Sequence, residues 1–349
     1  MASTVPDLEI SHEKFIDKTS IIYGESGTGK SVIIVDILHA LRPFVEQIVV
    51  ISPTDRQNHT YDKGIVPLLF IHYTITTKLL EDLWKRQEAL AAVFTRSNNK
   101  KTLESLFGKI PANARSEADD VIEGIKRKLR DSESEINKST TDDSVAKSKI
   151  GEMKEECDKL IVKIYKHSIT KNGAQLARLK LSDDEQYSLK YHGMNPRLVV
   201  IFDDATDLIK KYKTHPVMQK IFYQGRHSMI TALIACHTDK ALDSELKKNA
   251  AVSIFTEFSC ASSYFTRTAM SFDRETQTKA IAAAKIAFSP TTPHQKLAWV
   301  RHEKKYYKFC AERRNGFGFC SAIVREYARL AACESGKVSA DNQFMSDFM

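Results

Sequence analysis

Gly24-Glu25-Ser26-Gly27-Thr28-Gly29-Lys30-Ser31 brings three glycines, a lysine and hydroxyl side chains into one short stretch. Glycines let successive backbone N–H groups turn inward and surround anionic oxygens. Lys30 supplies a positive charge for the β- and γ-phosphates of a nucleotide, and Ser31 a hydroxyl oxygen for magnesium. The stretch follows apolar Ile21-Ile22-Tyr23 and precedes Val32-Ile33-Ile34. It therefore joins a strand to a helix, whose N-terminus adds partial positive charge. The chemistry this predicts is the binding of a nucleoside triphosphate, ATP, with Mg2+.

A second pair of residues completes a hydrolytic arrangement. Asp203-Asp204 ends the apolar run Val199-Val200-Ile201-Phe202. Asp203 is expected to meet magnesium through water or Ser31, and Asp204 to polarise the attacking water. The alternative, that the pair merely ends a strand and caps a helix, stays open at this point. A γ-phosphate sensor belongs at the end of a strand lying between the two motifs. Met229 to Cys236 is the candidate strand, ending in His237-Thr238, and either side chain could bond phosphate or water.

The elements that must position these residues follow from the pattern. Strands are predicted at Lys18–Tyr23, Ile48–Ile51, Pro67–His72, Arg197–Asp204, Met229–Cys236 and Ala251–Thr256. Continuous apolar runs such as Ile48-Val49-Val50-Ile51 suit parallel strands covered on both faces. A helix runs from Lys30 to about Leu41, stopped by Arg42-Pro43. Lys296–Arg301 and Tyr306–Cys310 flank a short polar turn and read as a β-hairpin. From about residue 77 to 192 the text becomes charged and helical. Two helices around the polar break Asn137–Ser144 read as an antiparallel hairpin: a spacer or an oligomer contact, with a DNA-contacting lever as the minority reading. The division expected is 1–76 and 193–332 for an α/β P-loop NTPase core (RecA/FtsK-like, mostly parallel central sheet, C-terminal β-hairpin), 77–192 for a helical insertion, and 333–349 for a mobile tail.

Bulk properties narrow the partners. The chain has 349 residues, and Lys plus Arg exceed Asp plus Glu by 52 − 44 = 8. This excess is compatible with a polyanionic partner without requiring one. The six cysteines are scattered with no C-x-x-C pair, which argues against a zinc ribbon or disulfide framework and for reduced thiols in an intracellular setting. The N-terminus lacks the pattern of a signal peptide. No window approaches the ~20 apolar residues of a membrane span, so a soluble protein is expected.

Several features in sequence order resemble the FtsK/HerA superfamily, and within it the poxvirus-type viral genome-packaging ATPases. They are the loop Gly24–Ser31 near the N-terminus, Ile51-Ser52-Pro53-Thr54 with Asn58 and Tyr61, and Val200-Ile201-Phe202-Asp203-Asp204. Gly225-Arg226-His227 then leads into the next strand, followed by Leu246-Lys247-Lys248-Asn249-Ala250 and the C-terminal hairpin. The likeness spans roughly residues 15–75 and 195–312. Family members often end the sensor strand with Gln, where this chain has His237-Thr238. The resemblance implies a homo-oligomeric ring that uses ATP to move double-stranded DNA into a preformed capsid, with a capsid or portal protein as partner. It implies nucleotide sites between subunits, with an arginine from a neighbour stabilising the γ-phosphate. Arg226 is the first candidate, Arg267 and Arg274 the others. It implies a location inside an infected cell, cytoplasm or nucleus, and in association with the virion.

Such a motor grips phosphates rather than bases. Arg301, Lys304, Lys305 and Lys308, with Arg313 and Arg314 nearby, form a basic cluster interleaved with Trp299, Tyr306, Tyr307 and Phe309. On alternating hairpin faces the aromatics could equally be core. Lys126, Arg127, Lys128 and Arg130 form a second basic run in the insertion. Two other readings stand beside the packaging motor: another DNA-dependent NTPase, such as a helicase or a DNA-segregation pump, and a scaffold that assembles on ATP without motor activity.

Overall fold

The computed structural model describes residues 5–139, 143–238, 242–291, 294–320, 324–326 and 330. The tail predicted at 333–349, with Cys333, lies outside them. Eight strands form one sheet: β1 (Thr19–Tyr23), β2 (Gln47–Ile51), β3 (Ile71–His72), β4 (Leu198–Phe202), β5 (Ile230–Cys236), β6 (Val252–Phe255), β7 (Gln295–Val300) and β8 (Lys305–Cys310), in the order β3-β2-β4-β5-β1-β6-β7-β8. Every pairing from β3 to β6 is parallel, whereas β6–β7 and β7–β8 are antiparallel. The predicted C-terminal hairpin thus extends the central sheet itself. The predicted strand at 67–72 shrinks to two residues, because Leu68–Phe70 folds into a 3-10 turn after Pro67.

Alternate side chains serve two cores, as the two-residue period of a strand requires. Ile21, Tyr23, Val49, Ile51, Val200 and Phe202 face one side, where the helices Pro216–Gln224, Phe258–Thr266 and Arg274–Ala287 pack. Ile22, Ile48, Val50, Val199 and Ile201 face the other, against helix Lys30–Leu41. That helix is itself covered on its outer side by Phe317 and Phe319. Its buried Asp36 holds the covering segment, accepting from Glu312 N at 2.9 Å and from Arg314 Nε at 2.9 Å. The N-terminal arm protects the β8 edge: Leu8 N donates to Lys308 O and Lys308 N to Pro6 O. Pairing an edge in this way removes a template for unwanted strand addition.

The chain divides into two units, Met1–Glu88 with Asn195–Met349, and Ala89–Met194. The division falls within helix Thr77–Ser97. In the second unit, helices Ala112–Ser139 and Asp143–Lys171 form the expected hairpin, with an ion pair from Lys154 to Glu133. Their core joins Leu103, Leu106 and Phe107 to Ile122, Ile161, Tyr165 and Ile169. Helix Asp183–Tyr191 starts with a capping box, in which Ser182 Oγ accepts from Glu185 N and Glu185 accepts from Ser182 N.

Glu185 is the electrostatic anchor of this unit. Burial raises its pKa, but Lys109 at 2.6 Å, Ser182 N at 2.8 Å and Ser105 Oγ at 2.7 Å outweigh burial and leave it at about 2. The folded pKa is depressed, so its contribution is present above the ordinary carboxyl value of 4.5 and disappears as pH falls toward 2. Relative to wild type, Glu185→Gln should lose about 3 kcal/mol at neutral pH. That difference should shrink to near zero between pH 4.5 and 2. Hydrogen exchange across Asp183–Tyr191 measures it, and a difference independent of pH would contradict the assignment.

Candidate functional site

The loop at Gly24–Ser31 leaves the carboxyl end of β1 and enters helix Lys30–Leu41. Gly27 and Gly29 adopt φ of +78° and +91°, a region that side-chain-bearing residues avoid. Gly24 is required for another reason: a Cβ there would lie 1.8 Å from Thr256 Oγ1. Lys30 is buried, and its ammonium donates to Gly24 O and Glu25 O, both at 2.9 Å. The cation therefore rests on carbonyls of the same loop that would receive the phosphates.

Strand order brings the remaining chemistry to the same end of the sheet. β5 lies between β1 and β4, as expected of a sensor strand. Asp203, just beyond β4, accepts from Ser31 Oγ at 3.0 Å and from Tyr61 Oη at 2.8 Å. Burial raises the Asp203 pKa, and the neighbouring charge of Asp204 adds to this, while Tyr61, Ser31 and Lys30 act the other way. Tyr61 is fully buried, and its phenol is pushed well above the ordinary value by burial and by Asp203. Its backbone is set by Asp55 Oδ1, which accepts from Thr60 N at 2.8 Å and Tyr61 N at 3.0 Å.

Asp204 adopts φ +52°, an uncommon conformation for a residue with a side chain. It projects its carboxylate toward Thr54 Oγ1, 3.4 Å from Oδ2, and His237 Nε2, 3.0 Å from Oδ1. Oδ1 is buried and has no aligned hydrogen-bond donor among the described residues. Ser31 Oγ and the Asp203 carboxylate are hard oxygen donors in contact with one another. This pair fits Mg2+, which is commonly held by one or two protein oxygens plus substrate phosphates. Among the described residues no group of three or more His, Cys, Asp or Glu could hold a metal on protein ligands.

Thr238 is exposed beside His237 and lies at the same strand end. Arg226 is elsewhere: the turn Gly225–Ser228 feeds the start of β5, whereas His237 follows its end. Seven strand residues separate the two ends, a span of about 20 Å, so Arg226 does not reach the site of its own chain. Arg267 lies near Ser263, 3.4 Å from Nη2 to Oγ, and Arg274 is exposed at the start of its helix. Arg301 is committed internally, donating to Ala250 O, Lys247 O and Tyr264 Oη, each at 3.2 Å. Lys304 and Lys305 are exposed at the β7–β8 turn, and Lys308 is half-buried, 3.9 Å from Asp7. Trp299 and Tyr306 stack on each other against Phe265, and Phe309 is buried on the opposite face. The interleaved aromatics are core.

Two contributions escaped the sequence reading. Tyr61 was visible only as one residue of a resemblance, because nothing local shows that its hydroxyl meets Asp203. Lys296 read simply as the first residue of a hairpin strand, yet its ammonium donates to Thr28 O at 2.8 Å.

Sheet, loop and acidic strand end together define a P-loop NTPase fold. Comparison with known proteins places the chain beside viral relatives. The uncharacterized protein B354L of African swine fever virus (isolate Pig/Kenya/KEN-50/1950) is 28% identical over 360 residues, covering 99% of this chain and 96% of the relative. Protein L437 of Acanthamoeba polyphaga mimivirus, also uncharacterized, is 40% identical over 75 residues, 22% of this chain and 26% of the relative. No protein-family profile matches. Among solved structures, the genome packaging NTPase B204 from Sulfolobus turreted icosahedral virus 2 in complex with ATP-gammaS aligns over 86% of this chain and 98% of its own, at 12% identity and a TM-score of 0.35. The plasmid coupling protein TrwB in complex with GDPNP aligns over 92% of each chain, at 10% identity and a TM-score of 0.38.

The contact at Gly24 generates a test. Gly24→Ala must displace either Thr256 or the loop, since Thr28 Oγ1 also lies 2.6 Å from the added carbon. The variant should bind a fluorescent ATP analogue at least about tenfold more weakly than wild type. Unchanged affinity would show that the close approach is not required.

Proposed function

We propose that this protein is an ATPase that translocates double-stranded DNA, packaging a viral genome into a preformed capsid as a homo-oligomeric ring. The observation that carries the ATPase reading is the junction of Ser31, Tyr61 and Asp203 beside the phosphate loop. It sets a magnesium-binding hydroxyl and a buried carboxylate where the loop would present a triphosphate. Ser31 and Asp203 would hold Mg2+, which would supply positive charge to offset the negative charge developing on the phosphates.

Each residue then has a defined task. Lys30 exchanges its two carbonyl acceptors for phosphate oxygens. Ser31 offers its oxygen to the metal, and Asp203 holds that hydroxyl in place. Asp204 accepts a proton of the attacking water, and Thr54 and His237 orient its carboxylate. His237, next to the exposed Thr238, reports the occupant of the site to Asp204. Arg226, remote from its own site, is available to the nucleotide of a neighbouring subunit, as a trans arginine requires.

DNA translocation rests on the ordered resemblance and on the exposed lysines at the β7–β8 turn, Lys304 and Lys305. Lys308 sits further along β8, and Arg301 serves the fold. The Asp204 carboxylate, held by His237 and Thr54 at the strand end beside Ser31 and Asp203, favours a working hydrolase over an ATP-regulated scaffold. A helicase remains the nearest alternative motor and differs in one observable, strand separation on a forked duplex.

Steady-state ATP hydrolysis with and without duplex DNA, at low and moderate salt, tests the reading. Hydrolysis should rise with duplex and the stimulation should fade with salt, as phosphate contacts do. Lys30→Ala should abolish turnover while the far-UV spectrum is retained. Asp204→Asn should keep nucleotide affinity within about threefold and slow hydrolysis at least about a hundredfold. Turnover indifferent to DNA would remove the motor, and normal turnover in Asp204→Asn would remove that residue from the mechanism.

A further inference from the structure

The phosphate loop is braced on its β6–β7 flank by three side chains the hydrolytic scheme does not use. Thr256 Oγ1 donates to Thr28 Oγ1 at 2.8 Å, and Glu257 Oε1 accepts from Glu25 N at 3.2 Å. Lys296, from β7, reaches across the end of β6 and donates to Thr28 O at 2.8 Å. Thr256 and Glu257 are ordinary packing aids. Lys296 is not, because it brings a full charge into a site where only 8% of the residue is exposed.

Burying an ammonium is costly unless its charge is used. Burial lowers the pKa of Lys296, and the Glu257 carboxylate opposes this. Among the described residues no carboxylate lies within ion-pair distance of it. A neutral side chain would hold Thr28 O at lower cost. The positive charge therefore calls for a negative partner that arrives later, and the phosphate loop is the adjoining feature built to receive one.

The route from Lys296 to that partner is a single peptide unit. Thr28 C=O and Gly29 N–H belong to the same planar trans amide, so they point in opposite directions. The ammonium sits on the outer, carbonyl face, and the Gly29 N–H is directed to the inner face. Donation from a cation to the carbonyl polarises the amide and strengthens its N–H as a donor. Lys296 Nζ also stands 4.0 Å from where a Gly29 Cβ would be, so its charge lies beside that peptide.

The geometry points to Lys296 as a second lysine of the polyphosphate site, a positioning residue that charges the loop from behind through the Thr28–Gly29 peptide. This rests on the nucleotide-site reading and deepens it. The ligand class is a nucleoside di- or triphosphate, whose outer phosphates the loop surrounds, rather than a monophosphate.

Two substitutions separate charge from bracing in the full-length chain. Lys296→Gln keeps an N–H donor for Thr28 O but removes the charge, and Lys296→Met removes both. Thr256→Val loosens the same loop without touching any charge. Equilibrium binding of Mg-ATP, Mg-ADP and AMP is measured by isothermal titration, with thermal melting as a check on folding. Both Lys296 variants should lose about tenfold in affinity for ATP and ADP and less than about twofold for AMP. Thr256→Val should weaken all three nucleotides alike. If Lys296→Gln binds like wild type, or if the losses are equal for ATP, ADP and AMP, Lys296 is only a brace and the proposal is overturned. Should Lys296→Met fail to fold, Lys296→Gln alone decides by the same criterion. A wild-type chain that binds none of the three nucleotides overturns the nucleotide-site reading itself, and this proposal with it.

Discussion

A carboxylate buried at the end of β4 is the constraint on which the site depends. Asp203 is 5% exposed, and burial acts on it more strongly than any neighbour. A charge so placed needs donors converging from several parts of the chain. Ser31 comes from the loop after β1, and Tyr61 from the connection after β2. Each donor must itself be held. Ser31 sits in the first turn of a helix packed on the sheet, and Tyr61 on a turn whose amides bind Asp55. Parallel pairing of β2 with β4, with Ile51 opposite Phe202, then brings these segments to one strand end. Order in the acidic half of the site is thus a consequence of satisfying one buried charge.

The other half of the site is arranged around positive charge. Lys30 rests on Gly24 and Glu25, and Lys296 on Thr28, so both lysines bond to carbonyls of a single loop. Carbonyls held by lysines do not compete for the loop amides beyond Gly24 N, Glu25 N and Thr28 N, which have partners of their own, and such amides can bind an anion. Between the two halves, Asp204 and His237 meet at the ends of β4 and β5. The strained backbone at Asp204 fits a residue selected for its direction rather than for comfort.

Outside the site, long polar side chains are used to close the fold. Arg301, prominent in a basic cluster, satisfies carbonyls of the Lys247–Ala250 segment and the hydroxyl of Tyr264. Arg314 and the Glu312 amide close on Asp36 in the middle of a buried helix. In the unit Ala89–Met194 the same principle holds around Glu185, which unites Lys109, Ser105 and a helix cap. Side chains classed by charge as surface groups become part of the interior wherever backbone groups need partners.

Features that depend on local stereochemistry and periodicity are legible in the amino-acid order. Glycines spaced through a short strand-to-helix loop predict inward-turned amides, the apolar runs predict buried parallel strands, and the lysine and serine after the last glycine predict a place for phosphate and magnesium. The helical hairpin is legible for the same reason, since its apolar spacing is set within each helix. Contacts between residues far apart in the chain emerge from the folded arrangement alone. Tyr61 reaches Asp203 across 142 positions, and Lys296 reaches Thr28 across 268. Nothing in the neighbouring text of either residue carries that information, because strand order alone determines which strand ends are adjacent. The same cause explains Arg301 and Arg226. Their types suggest DNA and nucleotide, but it was the fold that turned one inward to backbone carbonyls and set the other at the far end of its strand.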